Sequence, residues 1–159
     1  MNNNQTQLKE VVMFTDGSCL DNGRNGTGGY CALLQTPNKK HQKIIKGSEL
    51  DTTNNRMEIT AIIEGLKAIK KPSRVTVYSD SNITVRAINE WLEGWIRKNF
   101  RKVANVDLWK EYLDVSAKNQ VKAIWVKAHS GIYENELVDD IARSEAMKLH
   151  SNRGVHYGY

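Results

Sequence analysis

The stretch "VVMFTDGSC", residues 11–19, carries apolar residues into a lone acid, Asp16, with a glycine directly behind it. Val11, Met13 and Thr15 alternate with Val12, Phe14 and Asp16, the two-residue period of a β-strand. Further on, "RVTVYSD", residues 74–80, ends on Asp80 in the same way. A carboxylate at the end of a buried strand is costly unless something pairs with it or binds it. Two such strand ends point to one shared site.

Outward from these two strands the chain alternates between periods. "YCALLQ" (30–35) and "HQKIIKGSE" (41–49) read as the next strands of a meander, with Pro37 and Asn38 in the turn between them. "TTNNRMEITAIIEGLKAIKK" opens with N-cap residues and runs as a helix to about Lys70, and Pro72 closes it. The strand 74–80 follows. "SNITVRAINEWLEGW" from about Ser81 and "NVDLWKEYLDVSA" are helical, "VKAIWVKA" (121–128) is a fifth strand, and a last helix runs from about Glu134 to Leu149. This order describes an α/β domain with one five-stranded mixed sheet flanked by helices. A strand–helix–strand crossover makes the Asp16 and Asp80 strands parallel; as neighbours, they put both acids at one carboxyl edge, where such sheets hold ligands. The reading divides the chain into a polar extension (1–10), one folded domain (11–150) and a flexible tail (151–159).

A length of 159 residues suits one domain, and 40% hydrophobic residues suffice for its core. The longest apolar run is about five residues, as in "YCALL", far short of a membrane span. The start, "MNNNQTQLKE", has no apolar signal core, so the expected location is the cytoplasm. Cys19 and Cys31 form no C-x-x-C pair and share no zinc-ligand spacing with the four histidines. A net charge of +5 leans toward a polyanionic partner without identifying one.

Further acids bear on the site. Glu58 lies four residues before Ile62 and extends the apolar stripe of Ile62, Leu66 and Ile69, so it faces the core. The alternative is a carboxylate that favours the helix dipole, and spacing alone does not choose. In "YENELVDDIARSEAM", Asp139 and Asp140 are about 100° apart on a helix, so one at most points at a given site. Asp139 shares a line with Ala142 and Ala146 and is the better candidate by a small margin. His129, behind the fifth strand, is either a loop residue or a proton carrier beside these acids. "GRNGTGG" is neither a G-x-G-x-x-G motif nor a P-loop, and reads as part of a hairpin turn over 21–29. Residues 94–106 hold Arg97, Lys98, Arg101 and Lys102 with no acid among them, close to Trp91, Trp95 and Phe100. Such a run is solvated surface or a grip on a nucleic-acid backbone.

Taken together, "TDGSC", "TTNNRMEI", "YSDS", the tryptophan-basic segment, "NVDLW" and "KAHSGIYENELVDDIA" resemble the type 1 ribonucleases H, in the family's order and over roughly residues 11–146. The resemblance implies the ribonuclease H-like fold and an endonuclease that cuts the RNA strand of RNA·DNA hybrids, leaving 5′-phosphate and 3′-hydroxyl ends. It implies Asp16, Glu58, Asp80 and Asp139 as ligands of two Mg²⁺ ions, with Mn²⁺ as a substitute, and His129 as a mobile-loop histidine that aids proton transfer or product departure. It implies minor-groove contacts by Cys19, Asn22, Asn54, Asn55 and Asn82, and a DNA-phosphate pocket containing Thr53 and Asn105. Trp91 and Trp95 would line the DNA-strand channel, beside the basic segment. A monomer is expected, with no membrane partner. Two positions depart from the pattern: Asn82 stands where many members carry glutamine, and Asp51 where an arginine often serves the phosphate pocket. Hard divalent cations want oxygen ligands, which fits four carboxylates. Amide side chains reading 2′-hydroxyls would single out the RNA strand.

Two other readings compete. A non-catalytic hybrid-binding module would be expected to have lost a carboxylate, and all four are present. A DNA-directed nuclease or strand-transfer enzyme of the same broad fold would have no use for the asparagine set.

Overall fold

The computed structural model describes residues 8–22 and 24–156, without the side chains of 153–156. Most of the polar extension and the end of the tail lie outside the described residues. The strands are β1 (Lys9–Leu20), β2 (Gly26–Gln35), β3 (Gln42–Thr52), β4 (Ser73–Ser79) and β5 (Gln120–Trp125). The helices are α1 (Asn54–Lys67), α2 (Asn82–Arg86), α3 (Leu92–Arg97), α4 (Val106–Ser116) and α5 (Tyr133–His156), with a π-helical turn, Ala87–Trp91, joining α2 to α3. The sheet order is β3-β2-β1-β4-β5. β1, β2 and β3 form an antiparallel meander, while β4 runs parallel to β1 and β5 parallel to β4. The mixed five-stranded sheet and the parallel β1–β4 pair are as the sequence implies.

Two apolar layers follow from the period of two along each strand. From β2, Ala32 and Leu34 join Met13, Val75 and Val77 under α1 and α4, where Ile59, Ile62, Ile63, Leu66, Trp109 and Tyr112 complete the larger core. Cys31 and Leu33 face the other way and pack with Phe14 against Val138 and Ala142 of α5. Thr53 caps α1, its hydroxyl accepting from the Arg56 amide at 3.2 Å. Gly17 matters at the far end of β1: a Cβ there would run into the backbone of Met57 and Glu58. The missing side chain lets the first turn of α1 lie directly on β1.

Several boundaries differ from the sequence reading. The glycine-rich turn expected over 21–29 is shorter: Gly26–Gly29 belong to β2, and Gly29 passes so close to α5 that a Cβ would strike the Ala142 carbonyl. Gly28 and Gly29 thin the strand where α1 and α5 come close rather than reverse the chain. β5 ends at Trp125, short of Ala128, and α5 continues beyond Leu149 to His156, into the segment expected to be tail. The helix after Ser81 holds a π turn. Inside it Asn89 donates Nδ2 to the Ala123 carbonyl at 2.8 Å and accepts the Ala123 amide at 3.1 Å. Its carboxamide pairs with β5 much as another strand would.

Candidate active site

The topology brings acids from separate elements to the carboxyl edge of β1 and β4. Asp16 is on β1, Asp80 follows the last residue of β4, and Glu58 is in the first turns of α1. Carboxylate oxygens of these three lie within 4.8 Å of one another. Asp16 is 3% exposed and Glu58 9%, so neither charge is well hydrated. Burial, with the nearby Asp80 and Asp139 charges, pushes Asp16 up to about 8. Burial and Asp16 hold Glu58 well above the usual carboxylate range, and burial also raises Asp80. The Gly17 amide donates to Asp16 Oδ1 at 2.9 Å, but Glu58 Oε2 is buried with no hydrogen-bond partner. An orphaned buried carboxylate oxygen beside two more carboxyls is what a hard cation would satisfy. These residues therefore fit a divalent metal.

Asp139 approaches from α5. Its charge raises both Asp16 and Asp80. Its Oδ2 also accepts from Arg143 Nη2 at 3.2 Å, and Arg143 bonds Asp140 Oδ1 at 2.7 Å. Asp140 points to solvent, with its side chain 70% exposed against 20% for Asp139. His129 stands in the β5–α5 loop in a left-handed conformation, its Nδ1 3.9 Å from Asp139 Oδ2.

Beside the acids lies a row of polar groups. Asn22 Oδ1 accepts from the Asn54 amide at 3.0 Å, tying the β1–β2 turn to the start of α1. Asn54, Asn55 and Asn82 are exposed, at the opening turns of α1 and α2. Cys19 is turned toward the Leu20 and Thr52 carbonyls, both 3.5 Å from its sulfur. A groove of about 200 Å³ is lined by Asn55, Trp91, Trp95, Lys102 and Asn105 among others. Trp91 and Trp95 have centroids 6.0 Å apart and also pack on the larger core, so they serve the fold as well as the groove. Arg97, Lys98, Arg101 and Lys102 are exposed and form no ion pair among the described residues. Asp51, exposed near the end of β3, has a left-handed backbone.

The sequence reading passed over three residues. Arg56, inside "TTNNRMEI", donates to Asn105 Oδ1 at 3.3 Å and grips Asp107 through two bonds, 3.0 and 2.7 Å. Arg143 pairs with Asp139 at the four-residue helical spacing, which was legible as a helix pair. Trp125 donates its indole N–H to the Asp80 carbonyl, and nothing in the local sequence signals that.

The sequence model of the RNase H family matches residues 8–147. The chain is 51% identical over 142 residues to Ribonuclease H of Campylobacter jejuni, covering 89% of this chain and 94% of that one. The chain belongs to the ribonuclease H family. Ribonuclease HI of Helicobacter pylori is 50% identical over 141 residues, which is 89% of this chain and 96% of that relative. Among solved structures, this ribonuclease H resembles LC9-RNase H1, described as a type 1 RNase H with the type 2 active-site motif. The TM-score is 0.82 at 28% identity, covering 91% of this chain and 75% of the other. The foamy viral protease-reverse transcriptase in complex with an RNA/DNA hybrid shares the fold, with a TM-score of 0.66 at 19% identity over 92% of this chain and 22% of that one. No helix among the described residues of this ribonuclease H is long and apolar enough to cross a membrane.

Proposed function

We infer that this protein hydrolyses the RNA strand of RNA·DNA hybrids as an endonuclease, leaving 5′-phosphate and 3′-hydroxyl ends. The observation that carries the reading is the carboxyl cluster of Asp16, Glu58 and Asp80, within 4.8 Å, with the buried Glu58 Oε2 unpartnered. Asp16, Glu58, Asp80 and Asp139 would hold two Mg²⁺ ions, with Mn²⁺ as a substitute. Bound there, the ions would supply an activated water and stabilise the leaving oxyanion. In the reaction a water oxygen bonds to phosphorus, the P–O3′ bond breaks, and the 3′ oxygen takes up a proton. His129, exposed and 3.9 Å from Asp139, suits the movement of that proton at the 3′ oxygen.

The neighbouring groups support recognition of a hybrid. Carboxamides of Asn22, Asn54, Asn55 and Asn82, together with Cys19, are suited to 2′-hydroxyls and base edges in a wide minor groove. Thr53, Arg56 and Asn105 form a corner suited to a phosphate of the DNA strand, although Asp107 already occupies the guanidinium. The cations at 97–102 and the Trp91–Trp95 wall suit the DNA backbone without reading its sequence. The protein is expected to act as a monomer in the cytoplasm.

The test is cleavage of matched RNA·DNA, RNA·RNA and DNA·DNA duplexes with Mg²⁺. Cutting confined to the RNA strand of the hybrid is the expected result. Binding without cutting would favour a non-catalytic module, and cutting of DNA·DNA would favour a DNA nuclease.

A further inference from the structure

We infer that Trp125 is a positioning residue for Asp80, acting through the bond from its indole N–H to the Asp80 carbonyl. This rests on the reading of Asp80 as a metal ligand. The chain around Asp80 is tied on both sides. Before it, the Ser79 carbonyl accepts from the Val126 amide at 2.9 Å. Behind it, the Ser81 amide donates to Ser79 Oγ at 3.0 Å, and Ser81 Oγ caps α2 through the Thr84 amide at 3.3 Å. Asp80 itself lies in the bend between strand and helix, outside both the β1–β4 and β4–β5 ladders. Its carbonyl is held by Trp125 Nε1 at 3.1 Å.

Trp125 has no other evident reason to stand there. It closes the edge strand β5 with half of its surface, 50%, open to solvent. It belongs to neither apolar core, and among the described residues its ring makes no aromatic or cation contact. Half-exposed and in neither core, it has this hydrogen bond as its distinguishing contact. A peptide plane fixed by its carbonyl fixes the direction in which the adjoining side chain leaves the backbone. With that bond removed, the Asp80 carboxyl would sample more directions and meet Asp16 and Glu58 less often in the geometry a cation needs. Fixed ligand direction is what separates a tight metal site from a loose one.

Trp125→Phe keeps an aromatic ring and deletes the donor. Mg²⁺ binding, followed by calorimetry, should weaken by about threefold to tenfold, the size of one net hydrogen bond. At limiting Mg²⁺ kcat should fall by a similar factor and recover as Mg²⁺ is raised, with KM for a short hybrid unchanged. Unchanged Mg²⁺ affinity would overturn the inference, and so would a rise in KM alone, which would make the ring a substrate contact. Hydrogen exchange of the wild-type Trp125 indole N–H is an independent check that needs no variant. Slowed exchange is expected, and exchange at the rate of a free indole overturns the bracing. A wild type that neither binds Mg²⁺ nor cleaves the hybrid overturns the reading of the site and this inference with it. A wild type that does both, matched by Trp125→Phe, overturns the inference alone.

Discussion

At the scale of single residues, the site is a compromise between burial and charge. Asp80→Asn keeps size and removes charge. Cleavage should drop by at least about 10³-fold, more than the 10–100-fold typical of losing an outer partner of a metal ligand. A steady-state assay on a hybrid with Mg²⁺, on protein shown to be folded, checks this. His129→Ala should slow turnover by no more than about 10²–10⁴-fold, the contribution of a positioned acid or base, and should leave Mg²⁺ affinity intact in calorimetry. Asp16→Asn should raise the melting temperature of the metal-free protein. Because Asp16 is pushed up to about 8, it is mostly protonated at pH 6 and mostly charged at pH 9. The unfolded chain releases that proton near pH 4, so the gain should be small below about pH 4, already substantial at pH 6 and near its full size by pH 9, by roughly 2–4 °C for each kcal/mol relieved. Melting in EDTA at these pH values measures it.

At the scale of elements, what the sequence makes legible is periodicity. The alternation along 11–16 marks the strand that ends on Asp16, and the stripe through Ile62 and Leu66 marks the helix that carries Glu58 inward. The crossover between them implies the parallel pair. Pairings between distant segments leave no such trace. The bond from Arg56 to Asp107 spans 51 residues, and Trp125 reaches Asp80 over 45. The glycines of β2 resemble a turn because the signal for a close helix and the signal for a reversal are the same residue. The end of α5 is hidden because the polar residues after Leu149 look like a tail, although no glycine or proline stands there until Gly154. Two tests belong here. Gly17→Ala should push α1 off β1, costing about 1–3 kcal/mol as overpacking does, and should reduce cleavage by displacing Glu58. Denaturant melts and the hybrid assay would show both. Replacing Arg97, Lys98, Arg101 and Lys102 by Ala should flatten the plot of log affinity against log salt, by up to about 0.9 for each phosphate that is no longer neutralised. Turnover at saturating hybrid should change much less.

At the scale of the whole molecule, the raised carboxyls make stability depend on pH. Asp16, Glu58 and Asp80 all bind protons more tightly in the folded chain than they would unfolded. A raised carboxyl contributes stability that is fully present below its unfolded value, about 4, and is lost as pH rises through its folded value. Without metal, the melting temperature should fall between about pH 5 and pH 8. Excess Mg²⁺ should flatten that fall by favouring the ionised forms. A metal-free protein that grows more stable over the same range would contradict the account. The sheet has one more consequence for the molecule among its neighbours. β5 is an outer strand, and the Asn89 carboxamide occupies the outward amide and carbonyl of Ala123 near its middle. An open strand edge is a template for a second chain, so this side chain acts as a plug against self-association. A second strand that came to lie along β5 would find the place beside Ala123 already taken by one amide group.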